Sequence, residues 1–70
     1  MTTTKTTRSL RPGDVLIWGD LRDRVVAVTP VPNSVLSRVA VSRRMDDGKT
    51  VPTFFYAGND AAHELVERNR

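Results

Sequence analysis

The sequence contains no cysteine and a single histidine, and both absences limit its chemistry. Without cysteine there is neither a disulfide framework nor a thiolate metal site, so the 70-residue chain depends on its core or on a partner for stability. His63 is the only histidine, so a histidine-rich metal site is excluded, and a Ser/His/Asp set could be assembled only by inventing partners for it. We therefore predict a protein that is not an enzyme and that uses no cofactor and no metal.

Long apolar segments are also missing. No stretch approaches the roughly 20 residues that cross a bilayer, and the N-terminal residues lack the apolar run of a signal peptide. We therefore expect a cytoplasmic protein without a membrane partner.

The net charge of +3 is concentrated at the N-terminus, in Lys5, Arg8 and Arg11. The remaining cations equal the acidic residues in number, so residues 12 to 70 are neutral overall. Residues 1 to 9 are mostly threonine, serine and cations, which cannot offset the entropy lost on ordering. This composition predicts a disordered basic arm at residues 1 to 10 and a single small β domain at residues 11 to 70.

The first half of the domain has the residue types of a β-hairpin. The turn sequence Arg11-Pro12-Gly13-Asp14 leads into an apolar, β-branched run at residues 14 to 18, and a second such run covers residues 24 to 29. The polar link at residues 19 to 23 is too short for a parallel crossover, so these two strands are predicted to be antiparallel.

Two more strands are predicted after the prolines at positions 30 and 32. Residues 35 to 43 alternate, with Val35, Ser37, Val39 and Val41 on one face and Leu36, Arg38, Ala40 and Ser42 on the other. Asp47-Gly48 predicts a hairpin turn rather than a calcium loop, because the later acidic ligands of such a loop are absent. Residues 50 to 56 then form a fourth strand, which Pro52 places at an edge or a bulge.

The C-terminal segment has two interpretations. Helix propensity favours a helix at residues 60 to 68, which would give a four-stranded sheet with a C-terminal helix. Protection of the sheet edge favours a helical turn at residues 59 to 62 and a fifth strand at about 63 to 68. In a helix His63 and Glu67 are close enough to share a metal, whereas in a strand they are about 13 Å apart. We adopt the strand.

Five short strands with a helical turn before the last resemble the SH3-like small β-barrel. The segment from Arg11 to Gly19, followed by residues 25 to 28, resembles the opening hairpin of KOW-type modules, in which a Gly-Asp pair begins the first strand. This resemblance covers residues 11 to 29 and implies a barrel of that type. The second turn glycine is absent, with Arg22 and Asp23 nearby, so it does not extend to the RNA-contacting role of those modules.

A longer segment, from Arg11 to about Arg44, is similar in order to the MazF/PemK toxin ribonucleases. That resemblance implies the same barrel type and a catalytic arginine just before the second strand, in an Arg-Pro context. Here Arg24 is followed by valine, and Arg43-Arg44 occupies the place of the family's catalytic threonine. An endoribonuclease remnant of this kind is therefore an alternative function.

The candidate binding residues are aromatic and cationic. Alternation sends Phe55 to one face and Phe54 and Tyr56 to the other, where, together with Trp18, they could stack bases or contact a protein, unless strong curvature buries them. Arg38, Arg43 and Arg44 predict a basic edge, which Asp46 and Asp47 partly neutralise.

The function predicted from these residues is macromolecular binding without catalysis. Because the domain is neutral overall, a protein partner, including a copy of the same chain, is slightly favoured over nucleic acid. Lys5, Arg8 and Arg11 would add weak nucleic-acid binding through the arm. A further alternative, suggested by size alone, is a phage or mobile-element accessory protein that occupies a host protein.

Overall fold

Six strands account for most of the chain. The structure, a computed structural model, describes residues 2 to 66. Its strands are β1 (Thr2–Thr6), β2 (Val15–Trp18), β3 (Leu21–Pro30), β4 (Leu36–Arg44), β5 (Thr50–Gly58) and β6 (Ala62–Val66), with one 3₁₀ turn at Thr7–Ser9. They form a single antiparallel sheet in the order β1-β6-β2-β3-β4-β5. The predicted all-β class is confirmed.

The sheet is not the predicted five-stranded barrel. It has six strands and is not closed, so β1 and β5 are its two edges. The additional strand comes from the predicted disordered arm, where Thr2–Thr6 pair along their whole length with β6. Threonine is β-branched and favours strands, and β6 offers an open edge with which these residues can pair. The prediction of disorder, which rested on composition, took neither feature into account. Thr7 and Leu10, directly after β1, are buried.

The C-terminal segment is a strand, so the alternative with a C-terminal helix is wrong. A turn in which Ala61 N donates to Gly58 O over 3.0 Å replaces the expected helical turn, and β6 begins at Ala62. The chain beyond Val66, including the predicted end of this strand and Glu67, lies outside the described residues.

The β2–β3 hairpin is tighter and longer than predicted. Trp18 pairs with Leu21, so only Gly19 and Asp20 form the loop, and Gly19 has a φ of 56°, which glycine adopts without strain. β3 therefore begins at Leu21 rather than at residue 24. The register with β4 shifts between Val25 and Ala27, which makes Val26 a bulge with an exposed side chain.

The predicted alternation in β4 and β5 is confirmed. Val39 and Val41 are buried, whereas Arg38 is exposed, and in β5 Phe55 packs on the core while Phe54 and Tyr56 are exposed. Val35 is the exception, because it precedes β4 and is exposed. The buried apolar core consists of Leu10, Leu16, Val25, Val39, Val41 and Leu65.

The Asp-Gly turn joins β4 to β5 as predicted. Gly48 has a φ of 85°, and Met45 N donates to Lys49 O over 2.8 Å. β5 is an edge strand, in agreement with the position expected from Pro52. Among residues 2 to 66 there is no helix of the length and apolarity that a membrane crossing requires.

Candidate nucleic-acid interface

The side of β3, β4 and β5 that points away from the core forms a continuous surface, which we call the outer face. Cross-strand pairing places Thr29 beside Arg38 and Tyr56, and Ala27 beside Ala40 and Phe54. Further along, the rows are Arg24 with Ser42 and Pro52, and Arg22 with Arg44 and Thr50. The two uncharged β4 residues of these rows, Ala40 and Ser42, are small, so the surface between its two ends is shallow.

Charge is segregated between the two sides of these strands. Four arginines, Arg22, Arg24, Arg38 and Arg44, occupy outer-face positions. The only carboxylate in β3, β4 and β5 is that of Asp23, which is fully buried on the opposite side. The outer face is therefore cationic, although the sequence from residue 12 onward is neutral.

One end of the outer face, the aromatic end, consists of Arg38, Phe54 and Tyr56. The rings of Phe54 and Tyr56 meet edge to face with centroids 5.8 Å apart, and Arg38 Cζ lies 4.2 Å from the Phe54 centroid. Phe54 is 48% exposed and Tyr56 is 56% exposed. Aromatic rings and guanidinium planes of this kind are surfaces on which unpaired bases stack.

The other end of the outer face is an open groove of about 480 Å³, which we call the arginine groove. Arg22, Arg24 and Arg44 converge on it, with Ser42 and Thr50 as the polar side chains between them. Val15, Gly48 and Val66 complete the lining, which includes no carboxylate among the described residues. Three guanidinium groups with hydroxyls between them are donors that fit an oxyanion.

Arg22 is held in place by the hairpin that precedes it. Its Nη1 donates to the carbonyl oxygens of Gly19 at 2.8 Å and Leu21 at 3.0 Å. Arg24 and Arg44 are exposed and form no ion pair within residues 2 to 66. Arg24 and Arg44 therefore remain available to a ligand, and Arg22, held only through Nη1, can still donate from Nε and Nη2.

Arg43, predicted as a binding residue, lies on the opposite side of β4. Its Nε and Nη2 donate to Oδ1 and Oδ2 of Asp23 at 2.8 and 2.9 Å, and the hydrogen bond raises the pKa of the guanidinium above its ordinary value. This bidentate pair neutralises Asp23, the one carboxylate that is buried among residues 2 to 66. Arg43 thus contributes to the interior and not to the outer face.

Trp18 does not join Phe54 and Tyr56. Its ring meets Phe55 edge to face at 5.5 Å and His63 at 6.1 Å, on the core side of the sheet. His63 is buried, Thr7 Oγ1 lies 2.6 Å from its Nε2, and burial lowers the pKa of the imidazole. Within residues 2 to 66 no three acidic or histidine side chains are grouped as metal ligands.

The cations of the predicted arm are folded against the sheet. Lys5 Nζ is 3.1 Å from Asp14 Oδ2, and Arg8 Nη2 is 3.0 Å from Asp60 Oδ1. Arg11 is exposed, and its backbone N–H donates to the same Asp14 oxygen at 2.9 Å. Two of the three arm cations therefore already have carboxylate partners.

Sequence reasoning identified Arg38, Arg44, Phe54 and Tyr56, which the structure brings onto one face, but it missed Arg22 as a binding residue and considered Arg24 only as a catalytic one. Their spacing of two residues around Asp23 was visible, but placing the start of the strand at residue 24 concealed the alternation.

Comparisons of the chain with models of protein families, with curated proteins and with solved structures found no match.

Proposed function

We propose that this protein is a non-catalytic module that binds single-stranded nucleic acid across its outer face. The observation that supports this most strongly is the charge segregation: four arginines and two exposed aromatic rings share one face, and the only carboxylate of the three strands is buried behind it. Neutrality of the domain as a whole favoured a protein partner. A nucleic acid, however, is attracted by the local electrostatic field of the face that it approaches, and the outer face is cationic.

The aromatic end favours a single strand over a duplex. Bases in a duplex stack on one another, whereas unpaired bases can stack on Tyr56, Phe54 and the Arg38 guanidinium. Stacking of this kind tolerates any base, so the module is expected to have weak sequence preference.

The SH3-like relationship of β2 to β6 is part of the proposal. It is supported by five consecutive antiparallel strands and by the Gly13-Asp14 start of the first hairpin, which resembles KOW-type modules. β1 would then be an addition at the open edge of β6.

Fluorescence anisotropy with labelled single-stranded and duplex oligonucleotides tests the function. Single strands should bind more tightly than the duplex, and because the outer face has four arginines, the slope of log Kobs against log salt should be no steeper than about −2.8. Phe54→Ala and Tyr56→Ala should each weaken binding by roughly 5-fold to 150-fold, because stacking contributes about 1 to 3 kcal/mol per base.

A charge-matched pair of double variants provides the control. Arg24→Ala with Arg38→Ala removes two cations from the outer face, and Arg8→Ala with Arg11→Ala removes two from outside it. Only the first should weaken binding strongly. Equal losses in the two double variants would show that net charge, and not the outer face, determines binding.

Metal-independent RNA cleavage is the competing function, which the resemblance to MazF/PemK toxins suggests through Arg24. Arg24 lies in the arginine groove, where, among the described residues, Ser42 and Thr50 are the only polar side chains besides arginine. Neither is a base at neutral pH, so the described lining contains no group that activates a 2′-hydroxyl. RNA cleavage by purified protein that disappears in Arg24→Ala would overturn the non-catalytic assignment.

A further inference from the structure

We infer that the arginine groove binds the terminal phosphate of the strand whose bases stack at the aromatic end. The inference rests on the proposed function and specifies its ligand as a phosphomonoester at a strand end. It follows from three features of the groove: its charge, the availability of its donors and its position on the sheet.

The charge of the groove exceeds what one internal phosphate requires. Arg22 and Arg44 are directly opposite each other across β3 and β4, an arrangement that repels and destabilises a sheet. Arg24 adds a third guanidinium on the same face. An internal phosphodiester carries a single charge, whereas a phosphomonoester carries about −1.5 to −2 at pH 7 and presents three acceptor oxygens. The dianion is the better complement to three guanidinium groups.

One of the three guanidinium groups is fixed before any ligand binds, and the other two have no carboxylate partner to give up. The hydrogen bonds of Arg22 to Gly19 O and Leu21 O fix one guanidinium at the rim of the groove. Arg24 and Arg44 form no ion pair within residues 2 to 66, so a ligand displaces no carboxylate there. A volume of about 480 Å³ admits a phosphate together with part of its nucleotide.

The position of the groove favours a strand end over a strand interior. Arg44 is the last residue of β4 and Thr50 is the first residue of β5, so the groove lies where these strands meet their turn. Arg38 is six residues back along β4, about 20 Å away at 3.3 Å per residue. A strand that stacks on the aromatic end and follows β4 therefore reaches the groove a few nucleotides later, at the rim of the sheet.

Competition binding tests the inference. Unlabelled single-stranded oligonucleotides of one sequence, about ten nucleotides long, carry a 5′-phosphate, a 3′-phosphate or hydroxyls at both ends, and compete with an internally labelled strand. One of the two phosphorylated forms should bind about tenfold more tightly than the hydroxyl form, and which one it is gives the direction of the strand.

Two variants separate the two parts of the site. Arg44→Gln should weaken the preferred phosphorylated form about tenfold more than the hydroxyl form, and so remove the preference for the phosphorylated end. Phe54→Ala should weaken all three oligonucleotides by the same factor. Circular dichroism checks that both variants are folded.

Each outcome decides between the two proposals. Binding of all three forms with equal affinity, still dependent on Phe54, would overturn the terminal-phosphate inference and leave the proposed function in place. A phosphate preference that persists in Arg44→Gln would also overturn the inference. Absence of binding by every oligonucleotide would overturn the proposed function itself, and with it the inference.

Discussion

Arg43 and Arg44 are neighbours in the sequence and have opposite environments. Alternation along β4 turns Arg43 toward the buried Asp23 and Arg44 toward solvent on the outer face. Asp23 is inaccessible to solvent, whereas the Arg43 side chain retains 30% of its exposure. Water can therefore hydrate the Arg43 guanidinium when Asp23 is removed, but it is far less able to reach the Asp23 carboxylate when Arg43 is removed.

Loss of Arg43 should destabilise the fold more than loss of Asp23. Arg43→Met leaves a fully buried carboxylate without a cation, a change that costs about 3 to 5 kcal/mol, while Asp23→Asn leaves a guanidinium that water can reach. Urea denaturation of both variants measures the difference. Arg44→Gln is the matched control and should not be destabilised. Equal losses for Arg43→Met and Arg44→Gln would contradict a structural role for the interior pair.

Stability should fall as the solution becomes acidic, because of His63. Burial lowers the pKa of folded His63 below the ordinary 6.5, so below that pH the unfolded chain binds a proton that the folded chain resists. The contribution of neutral, buried His63 to stability is therefore fully present above the pKa that this histidine has in the unfolded chain, and it is lost as the pH falls below that value. Thermal denaturation between about pH 7.5 and 5.5 should show a declining Tm, and His63→Gln should flatten that decline. A Tm that declines equally in both proteins would assign the effect to other groups.

β1 shows how an element can depend on a surface formed by the rest of the chain. Its five residues bury little apolar surface by themselves, and they are ordered by pairing with β6 from Thr2↔Val66 to Thr6↔Ala62. Lys5 then reaches Asp14, and Thr7 and Leu10 enter the interior. Local composition contains no information about this pairing, because the partner strand is more than 50 residues away in the sequence.

Removal of residues 1 to 10 should therefore unfold the protein or destabilise it severely. The deletion uncovers the edge of β6 and takes Leu10 out of the core, and loss of a buried leucine alone costs about 2 to 5 kcal/mol. A domain of this size has only about 3 to 10 kcal/mol in total. Circular dichroism and urea denaturation of the truncated chain, beside the milder Leu10→Ala, measure the effect. A truncated chain as stable as the full one would show that β1 contributes nothing to the fold.

At the scale of the molecule, the sequence predicted the features that depend on alternation between near neighbours. It did not predict those that depend on pairing between distant segments. The faces of β4 and β5 followed from period-two spacing, and with them the exposure of Arg38, Phe54 and Tyr56. The position of Trp18 depends on its packing against Phe55 and His63 from distant strands, which no local pattern specifies. The cationic face was hidden because net charge averages over both sides of a sheet.

The same segregation of charge predicts a conflict between stability and binding. Because Arg22 and Arg44 repel each other across the sheet, Arg44→Gln should raise the free energy of unfolding by about 0.2 to 1 kcal/mol. Urea denaturation measures this gain, and it should be smaller at high salt, which screens the repulsion. A loss of stability in Arg44→Gln would mean that the two arginines do not oppose each other in the folded protein.

The exposed edge formed by β5 makes the protein prone to aggregate at high concentration and restricts the substitutions that this strand can accept. Its nine residues, Thr50–Gly58, contain no charged side chain, and exposed Phe54 and Tyr56 lie within it. Charged side chains on an edge strand normally prevent it from pairing with the edge of another molecule. Because β5 has no such side chain, the residue that hinders this pairing is Pro52, which cannot donate a backbone hydrogen bond. If the proposed function is correct, nucleic acid lying across the neighbouring rings shields the same border, and the protein without nucleic acid should be the form most prone to aggregation.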